Sequence, residues 1–145
     1  MSEKAVALAP NLANNMAIAG VITVYCGKPR EALELVRKAM RLCPIYPIWY
    51  LYPLTRAYWF MGKTDEAIAA ARSAIERDPE LSISHKLHAI VLTDAGRDAE
   101  AQRAAAEVLR LEPNFSVEAW AARRGTPTEL SIREAEALRK AGLPD

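Results

Sequence analysis

Two histidines are the residues of this sequence whose type and spacing first suggest chemistry. His85 and His88 are three positions apart, so on a helix the two rings lie on neighbouring positions of one face and could share a metal ion. Asp94 is the one further ligand with a suitable spacing, although it lies two turns from His88. Histidines that pack between helices and hydrogen-bond locally are the favoured alternative, so we expect no metal and no cofactor.

The other motifs and residue types of the sequence argue against an enzyme. The sequence contains no nucleophile elbow, no phosphate-binding glycine loop and no pair of acids in a plausible cleft. Cys26 and Cys43 form no Cys-x-x-Cys motif, which favours buried thiols in a reducing, cytoplasmic compartment. Lysine and arginine number 19 against 18 aspartates and glutamates, so no net field would attract nucleic acid or an anionic membrane.

An uncharged stretch near the start raises the question of a membrane span. No charged residue occurs between Lys4 and Lys28, but Pro10 and three asparagines interrupt the stretch. The unbroken apolar run 16–26 is too short to cross a bilayer. A buried helix is the better interpretation, and no membrane partner is expected.

The strongest sign of binding chemistry is the segment 44–60, PIYPIWYLYPLTRAYWF, with three prolines and seven aromatic residues. Trp49, Tyr52, Arg56 and Trp59 recur at spacings of three, four and three, which predicts one helical face. Tryptophan, tyrosine and arginine contribute most to binding energy when a partner desolvates them. The alternative is that these side chains pack against a neighbouring helix.

The elements that position these residues repeat along the chain. Prolines occur at positions 10, 44, 79 and 113, with spacings of 34, 35 and 34. The segments GKPREALELVRKAMRLCP, GKTDEAIAAARSAIERDP and GRDAEAQRAAAEVLRLEP align without a gap. Each unit is expected to be two helices joined at the glycine and ended by the proline. Neither helix can bury its apolar face alone, so the units must stack.

This pattern resembles the tetratricopeptide repeat (TPR) family, whose hallmarks are small residues on both helices, a turn glycine and a closing proline. The resemblance implies an all-α, right-handed superhelical solenoid of antiparallel helix pairs with a C-terminal capping helix. Three repeats are predicted at 13–46, 47–81 and 82–115. Residues 1–12 are expected to be the remnant of the last helix of a preceding repeat, and 116–145 a partial repeat followed by the capping helix.

In TPR arrays a second face of each first helix lines a concave groove in which partner peptides or helices usually lie. The resemblance therefore implies a partner-binding groove formed by Trp49, Tyr52, Arg56, Trp59, Val21, Val24, Lys86, Ile90, Trp120 and Arg124. TPR modules that bind chaperone C-termini clamp a carboxylate with lysine and asparagine. The corresponding positions here hold Ala17, Val21, Pro53, Ile83 and Leu87, so that clamp is absent.

The two ends depart from the repeat. The match of residues 3–10 to the last third of a repeat predicts that Pro10 ends a helix and that a longer protein continues upstream. A degenerate N-terminal capping helix is the alternative. Near the other end, Arg123 occupies a close-contact site of the repeat, so the repeat should fail there, and Gly125 should break the helix. The run 126–129, TPTE, predicts a capping box with Pro127 in the first helical position.

A narrower resemblance covers about 42–145. LEPNFSVEAWAARR, EALRKAGLPD and the aromatic opening LCPIYPIWY are similar to the TPR region that ends bacterial class III adenylate/guanylate cyclases. No cyclase activity carries over, because these residues contain no catalytic domain with metal-binding aspartates. The leading prediction is a protein-interaction module for a protein or peptide partner. The alternative is a self-associating regulatory region of a cyclase, forming a homodimer through the face near Ala5 and Leu8.

Pro53 is the residue that the repeat explains least. It lies inside the predicted first helix of the middle repeat, where a proline costs roughly 3 kcal/mol. The sequence predicts that it either kinks this helix or delays its start. A bend that aims Trp49 and Tyr52 into the groove is the functional hypothesis.

Overall fold

The computed structural model describes the backbone of residues 3–145 and the side chains of residues 9–145. The described chain is all-α, with no strand, which confirms the predicted fold class. Three helix pairs come first: α1 (Glu3–Tyr25) with α2 (Pro29–Leu42), α3 (Leu51–Phe60) with α4 (Thr64–Arg77), and α5 (Ser82–Asp94) with α6 (Asp98–Leu111). Two further helices follow, α7 (Val117–Ala122) and α8 (Glu129–Lys140).

Glycine makes the turn inside each pair, as predicted. Gly27, Gly62 and Gly96 have φ of 80°, 76° and 75°, a left-handed conformation that residues with a Cβ rarely adopt. The following residue donates its backbone N–H to a carbonyl of the helix just ended, at 2.9 Å from Lys63 to Tyr58. This hydrogen bond closes the helix end and turns the chain back along itself.

The helices of the first pair approach closely at Gly20. A Cβ added there would lie 2.7 Å from Cγ2 of Val36 on α2, nearer than real atoms come. The structure also confirms that three helices end just before a repeat proline, as predicted. Helices α2, α4 and α6 end at Leu42, Arg77 and Leu111, two residues before each proline.

Pro10 does not end a helix, which corrects the prediction for residues 3–10. Helix α1 is continuous from Glu3 to Tyr25 with Pro10 inside it. A proline removes one backbone hydrogen bond and does not by itself end a helix. Because Pro10 is exposed, its ring needs no space in the core. The sequence remnant therefore forms the first turns of α1, while the side chains of Ala5 and Leu8 lie outside the described residues.

Pro53 delays the start of its helix, one of the two predicted outcomes. Residues Ile48–Tyr50 form a short 3₁₀ helix, and α3 begins only at Leu51. Pro53 is thus the third residue of α3, where backbone N–H groups have no intrahelical partner in any case. The predicted four-residue face is consequently broken, because Trp49 lies in the 3₁₀ segment and not on α3 with Tyr52, Arg56 and Trp59.

The C-terminal segment contains the two helices α7 and α8, which are separated by a short connection. Helix α7 ends at Ala122, three residues before Gly125, and Arg123 is exposed. The capping box is at Thr128 and not at Thr126: the Thr128 hydroxyl accepts from the Ser131 N–H, and Ser131 accepts from the Thr128 N–H. Pro127 therefore precedes the cap, and its predicted first helical position is wrong.

Candidate functional site

The first helices of the three pairs, α1, α3 and α5, form one shared surface, which we call the concave surface. Helix α8 folds back onto it and packs against α5, α7 and α1. Leu130 and Leu138 of α8 are fully buried there. The predicted capping helix therefore covers part of the surface that the sequence assigns to a partner.

Glu134 of α8 is the centre of this contact and is fully buried. Its Oε1 lies 2.7 Å from Nε of Arg56 on α3 and accepts a hydrogen bond from that nitrogen. The Tyr25 hydroxyl at the end of α1 donates to the same oxygen at 3.4 Å. A second guanidinium, that of Arg124, lies 3.2 Å from Oε2 of the carboxylate. One carboxylate thus joins α8 to α1, to α3 and to the turn after α7.

Arg133 holds the other side of α8. Its guanidinium lies 3.3 Å from the Asp94 carboxylate on α5. It also lies over the rings of Trp59 and Phe60, at 4.8 and 5.4 Å from their centroids. The Trp59 indole N–H donates to Asp94, so cation, acid and aromatic ring form one cluster.

The ten predicted groove residues separate into two groups. Six are buried, and the other four are partly exposed. The buried residues are Val24, Arg56, Trp59, Lys86, Ile90 and Trp120, and the partly exposed ones are Val21, Trp49, Tyr52 and Arg124. The structure therefore gives most of the aromatic and basic residues contacts within the chain.

Trp49 and Lys86 illustrate these internal contacts. The Trp49 ring packs edge-on against Tyr50 at 4.7 Å between centroids, and the Tyr50 hydroxyl donates to Asn14 of α1. Lys86 lies 2.7 Å from the carboxylate of Glu112. Its ammonium also lies 4.6 Å from the Phe115 centroid. Lys86 and the Ser82 hydroxyl lower the pKa of Glu112 by hydrogen bonding to its charged form.

The histidines do not assemble a metal site with Asp94. Nε2 of His85 lies 2.8 Å from the Pro79 carbonyl oxygen, while Asp94 contacts Trp59 and Arg133. Over the part of the chain that the structure describes, no cluster of three or more potential metal ligands occurs. The local hydrogen bond of His85 agrees with the favoured interpretation.

His88 gives the chain a predicted sensitivity to acid. Its pKa is lowered from 6.5 to about 4, chiefly by burial and then by the positive charges of Arg72, His85 and Arg97. The charge of Glu100 opposes this shift only in part. The unfolded chain therefore binds a proton more readily. The contribution of His88 to the free energy of unfolding should be fully present above pH 6.5. It should be lost between pH 6.5 and 4, which lowers the stability by about 1–2 kcal/mol for this partly exposed ring.

Urea denaturation from pH 4 to 8 tests this expectation on the wild type and on His88→Gln. The variant should show a flatter loss of stability below pH 6.5, while the two curves should run parallel above it. Glu112 also has a lowered pKa but is present in both proteins, so its effect cancels in the difference. Equal slopes below pH 6.5 would refute the assignment.

A cavity of about 430 Å³ remains open beside the Glu134 contact. It lies where α1, α3 and the start of α8 meet, and Arg124 closes one side. Its lining residues are Val21, Tyr25, Arg56, Arg124, Thr126, Thr128 and Ser131. Three of these seven belong to the predicted groove, so the cavity is the open part of that site.

Sequence reasoning missed Glu134 and Tyr25. The signal for Glu134 was present, because it lies four residues after Leu130 and four before Leu138. That spacing places an acid in the middle of the apolar face of α8. A carboxylate in such a position needs a buried cation, and Arg56 was a candidate.

Part of the chain matches a known family. Residues 54–81 match the tetratricopeptide repeat model, and no curated protein sequence matches the chain. None of the described helices is long and apolar enough to cross a membrane.

Solved structures share the fold at low sequence identity. The first TPR domain of the human RPAP3 protein is 20% identical, with a TM-score of 0.69 over 91% of this chain and 93% of that one. The first TPR of Spaghetti (RPAP3) bound to the HSP90 peptide SRMEEVD is 19% identical, with a TM-score of 0.67 over 90% and 95%. The Sgt2 TPR domain from Aspergillus fumigatus is 20% identical, with a TM-score of 0.65 over 88% and 77%. The chain therefore has the fold of TPR domains and contains a tetratricopeptide repeat at 54–81, and these comparisons offer no evidence of a nucleotide cyclase.

Proposed function

We propose that this chain is a protein-interaction module whose concave surface binds a helical segment of another protein. The observation that carries the proposal is α8 itself, which already lies on that surface as a bound helix. Leu130 and Leu138 supply its apolar contacts, and Glu134 supplies a buried ion pair. A surface that accepts this helix in cis has the shape and charge to accept a similar helix in trans.

The similar solved structures support a binding role. The Spaghetti (RPAP3) TPR is bound to an HSP90 peptide, so a domain of this fold presents a peptide-binding surface. In the present chain Arg56 pairs with Glu134 of α8, and Trp59 lies under Arg133 of α8, so a partner reaches these two residues only when α8 leaves. Trp49, Tyr52 and Val21 are partly exposed and offer the first contacts to an incoming segment. We therefore expect α8 and the partner to compete.

A labelled peptide of residues 126–145 tests the surface directly. The full-length Glu134→Ala variant, whose own α8 is weakened, should bind this peptide, as measured by fluorescence anisotropy. The same peptide carrying Glu134→Ala is the matched control and should bind at least about tenfold more weakly, because one buried ion pair exceeds 1.4 kcal/mol. If hydrogen exchange shows α8 released and neither peptide binds, the concave surface is not a helix-binding surface.

Self-association is the second candidate, and the exposed face of α1 favours it. Leu12, Ile18 and Ile22 are 53%, 49% and 60% exposed on the part of this helix that follows Lys4 and carries no charge. A second copy of the chain could cover these side chains. Sedimentation velocity distinguishes the candidates, because a dimer that Ile18→Glu dissociates supports self-association and a monomer at high concentration excludes it. A link to a cyclase has no support in these contacts.

A further inference from the structure

The cavity beside Glu134 has an excess of positive charge. Arg56 and Arg124 both line it, and the carboxylate that contacts both is Glu134. Two guanidinium groups and one carboxylate leave a net charge of +1, since none of the lining residues is acidic. Arg56 is only 7% exposed, so bulk water screens this charge poorly.

Arg124 has unused hydrogen-bonding capacity. Its guanidinium lies over the rings of Trp120 and Tyr25, at 4.3 and 4.8 Å from their centroids. Its contact with Glu134 at 3.2 Å is an ion pair, but Oε2 of that carboxylate has no hydrogen-bond partner among the described residues. The Arg124 guanidinium donates no hydrogen bond to any described residue, although an arginine side chain has five N–H donors. Burial lowers the pKa of Arg124, while Glu134 partly opposes that effect.

The start of α8 adds to the positive potential of the cavity. Thr128, its N-cap, and Ser131, in its first turn, both line the cavity. The backbone N–H groups of a helix N-terminus carry a partial positive charge that favours a bound anion. The Thr128 hydroxyl donates to Oγ of Ser131, and the Ser131 hydroxyl donates to the Thr128 carbonyl oxygen, so neither hydroxyl is a free donor for a ligand.

We propose that this cavity binds the carboxylate of a small ligand or acidic side chain, with Arg124 as its principal hydrogen-bond donor. A single negative charge neutralises the net charge of +1, whereas a phosphate, with about two charges at neutral pH, would leave the cavity net negative. Val21 supplies an apolar wall, which suits a carboxylate on a short aliphatic chain. Binding here does not require that the concave surface accept a protein segment, so the two proposals fail independently.

Titration of the full chain with sodium butyrate tests the proposal. The Nε–Hε signal of Arg124 in ¹⁵N NMR spectra should shift and saturate, with a Kd on the order of 1 mM, as for a single anchored group. Sodium chloride at equal ionic strength should leave the signal unsaturated, and inorganic phosphate should bind more weakly than butyrate. Arg124→Gln should abolish the saturable shifts of neighbouring cavity residues.

Arg133→Gln is the matched control, because Arg133 also lies over an aromatic ring of the concave surface but does not line the cavity. It should bind butyrate as the wild type does. If Arg124→Gln is poorly folded, Arg124→Lys keeps the charge, loses the planar fork and should weaken binding at least threefold. The absence of a saturable shift in the wild type, or unchanged binding in a folded Arg124 variant, overturns the proposal. Tighter binding of phosphate than of butyrate overturns the choice of carboxylate.

Discussion

Replacing Glu134 by Ala is expected to lower the free energy of unfolding by about 3–5 kcal/mol, because the change leaves Arg56 as a buried, unpaired charge. Arg56 is 7% exposed, so water from the cavity that it lines replaces the lost partner only in part. Since Glu134 also joins α8 to Arg124 and Tyr25, the amides of α8 should lose protection against hydrogen exchange. Urea denaturation measures the first effect and mass spectrometry the second.

Glu136→Ala is the matched control for this change. Glu136 lies two residues further along the same helix and is exposed. Its substitution therefore alters helix propensity in the same way but leaves the contacts of Glu134 unchanged. We expect its effect to stay within about 0.5 kcal/mol. Equal, small effects of the two substitutions would show that Glu134 has no buried partner.

Trp59→Ala is expected to have the second large effect, a loss of about 3–5 kcal/mol for a buried tryptophan. The Trp59 side chain is 4% exposed, donates to Asp94 and lies under Arg133 of α8. Its removal opens a cavity and takes away one of the contacts that hold α8. Trp49→Ala should cost less, about 1–2 kcal/mol, because Trp49 is half-buried in the 3₁₀ segment.

Thermal and urea denaturation of the two tryptophan variants test this contrast. A Trp59→Ala protein as stable as Trp49→Ala would show that both rings belong to an open surface. The comparison also bears on function, since reduced partner binding in Trp59→Ala includes the effect of a loosened α8. Trp49→Ala is the cleaner probe of direct contact.

The repeating part of the fold could be predicted from the sequence because its rules are local. A glycine with positive φ, a small residue at a close crossing and a proline after the helix end each act within one or two turns. Gly20 shows this well, since its missing Cβ is what admits Val36. These features recur at a fixed period, and the helix pairs follow from them.

The position of α8 could not be predicted in the same way. Its contacts join Glu134 to Arg56, 78 residues away, and to Tyr25, 109 residues away. No repeat links these positions, so the sequence indicated an amphipathic helix but not the surface that it covers. The acid on the apolar face of α8 indicated that this helix packs against a buried cation. It did not indicate which arginine or lysine that cation is.

Local competition explains the two smaller differences at the prolines. Pro10 is exposed in α1, where the helix tolerates the loss of one hydrogen bond. Pro53 falls in a first turn, which moves Trp49 off the predicted face of α3. At Pro53 the position of the proline relative to the helix start decides the outcome, and helix starts are difficult to locate from sequence.

The ion pair of Arg56 and Glu134 holds α8 on the concave surface. A double-mutant cycle of Arg56→Met and Glu134→Gln, followed by urea denaturation, measures the coupling of these two side chains. We expect the double variant to lose less stability than the sum of the single ones, with a coupling of about 1–3 kcal/mol. Additivity within about 0.5 kcal/mol would mean that the two side chains are not in contact and that the ion pair does not hold α8.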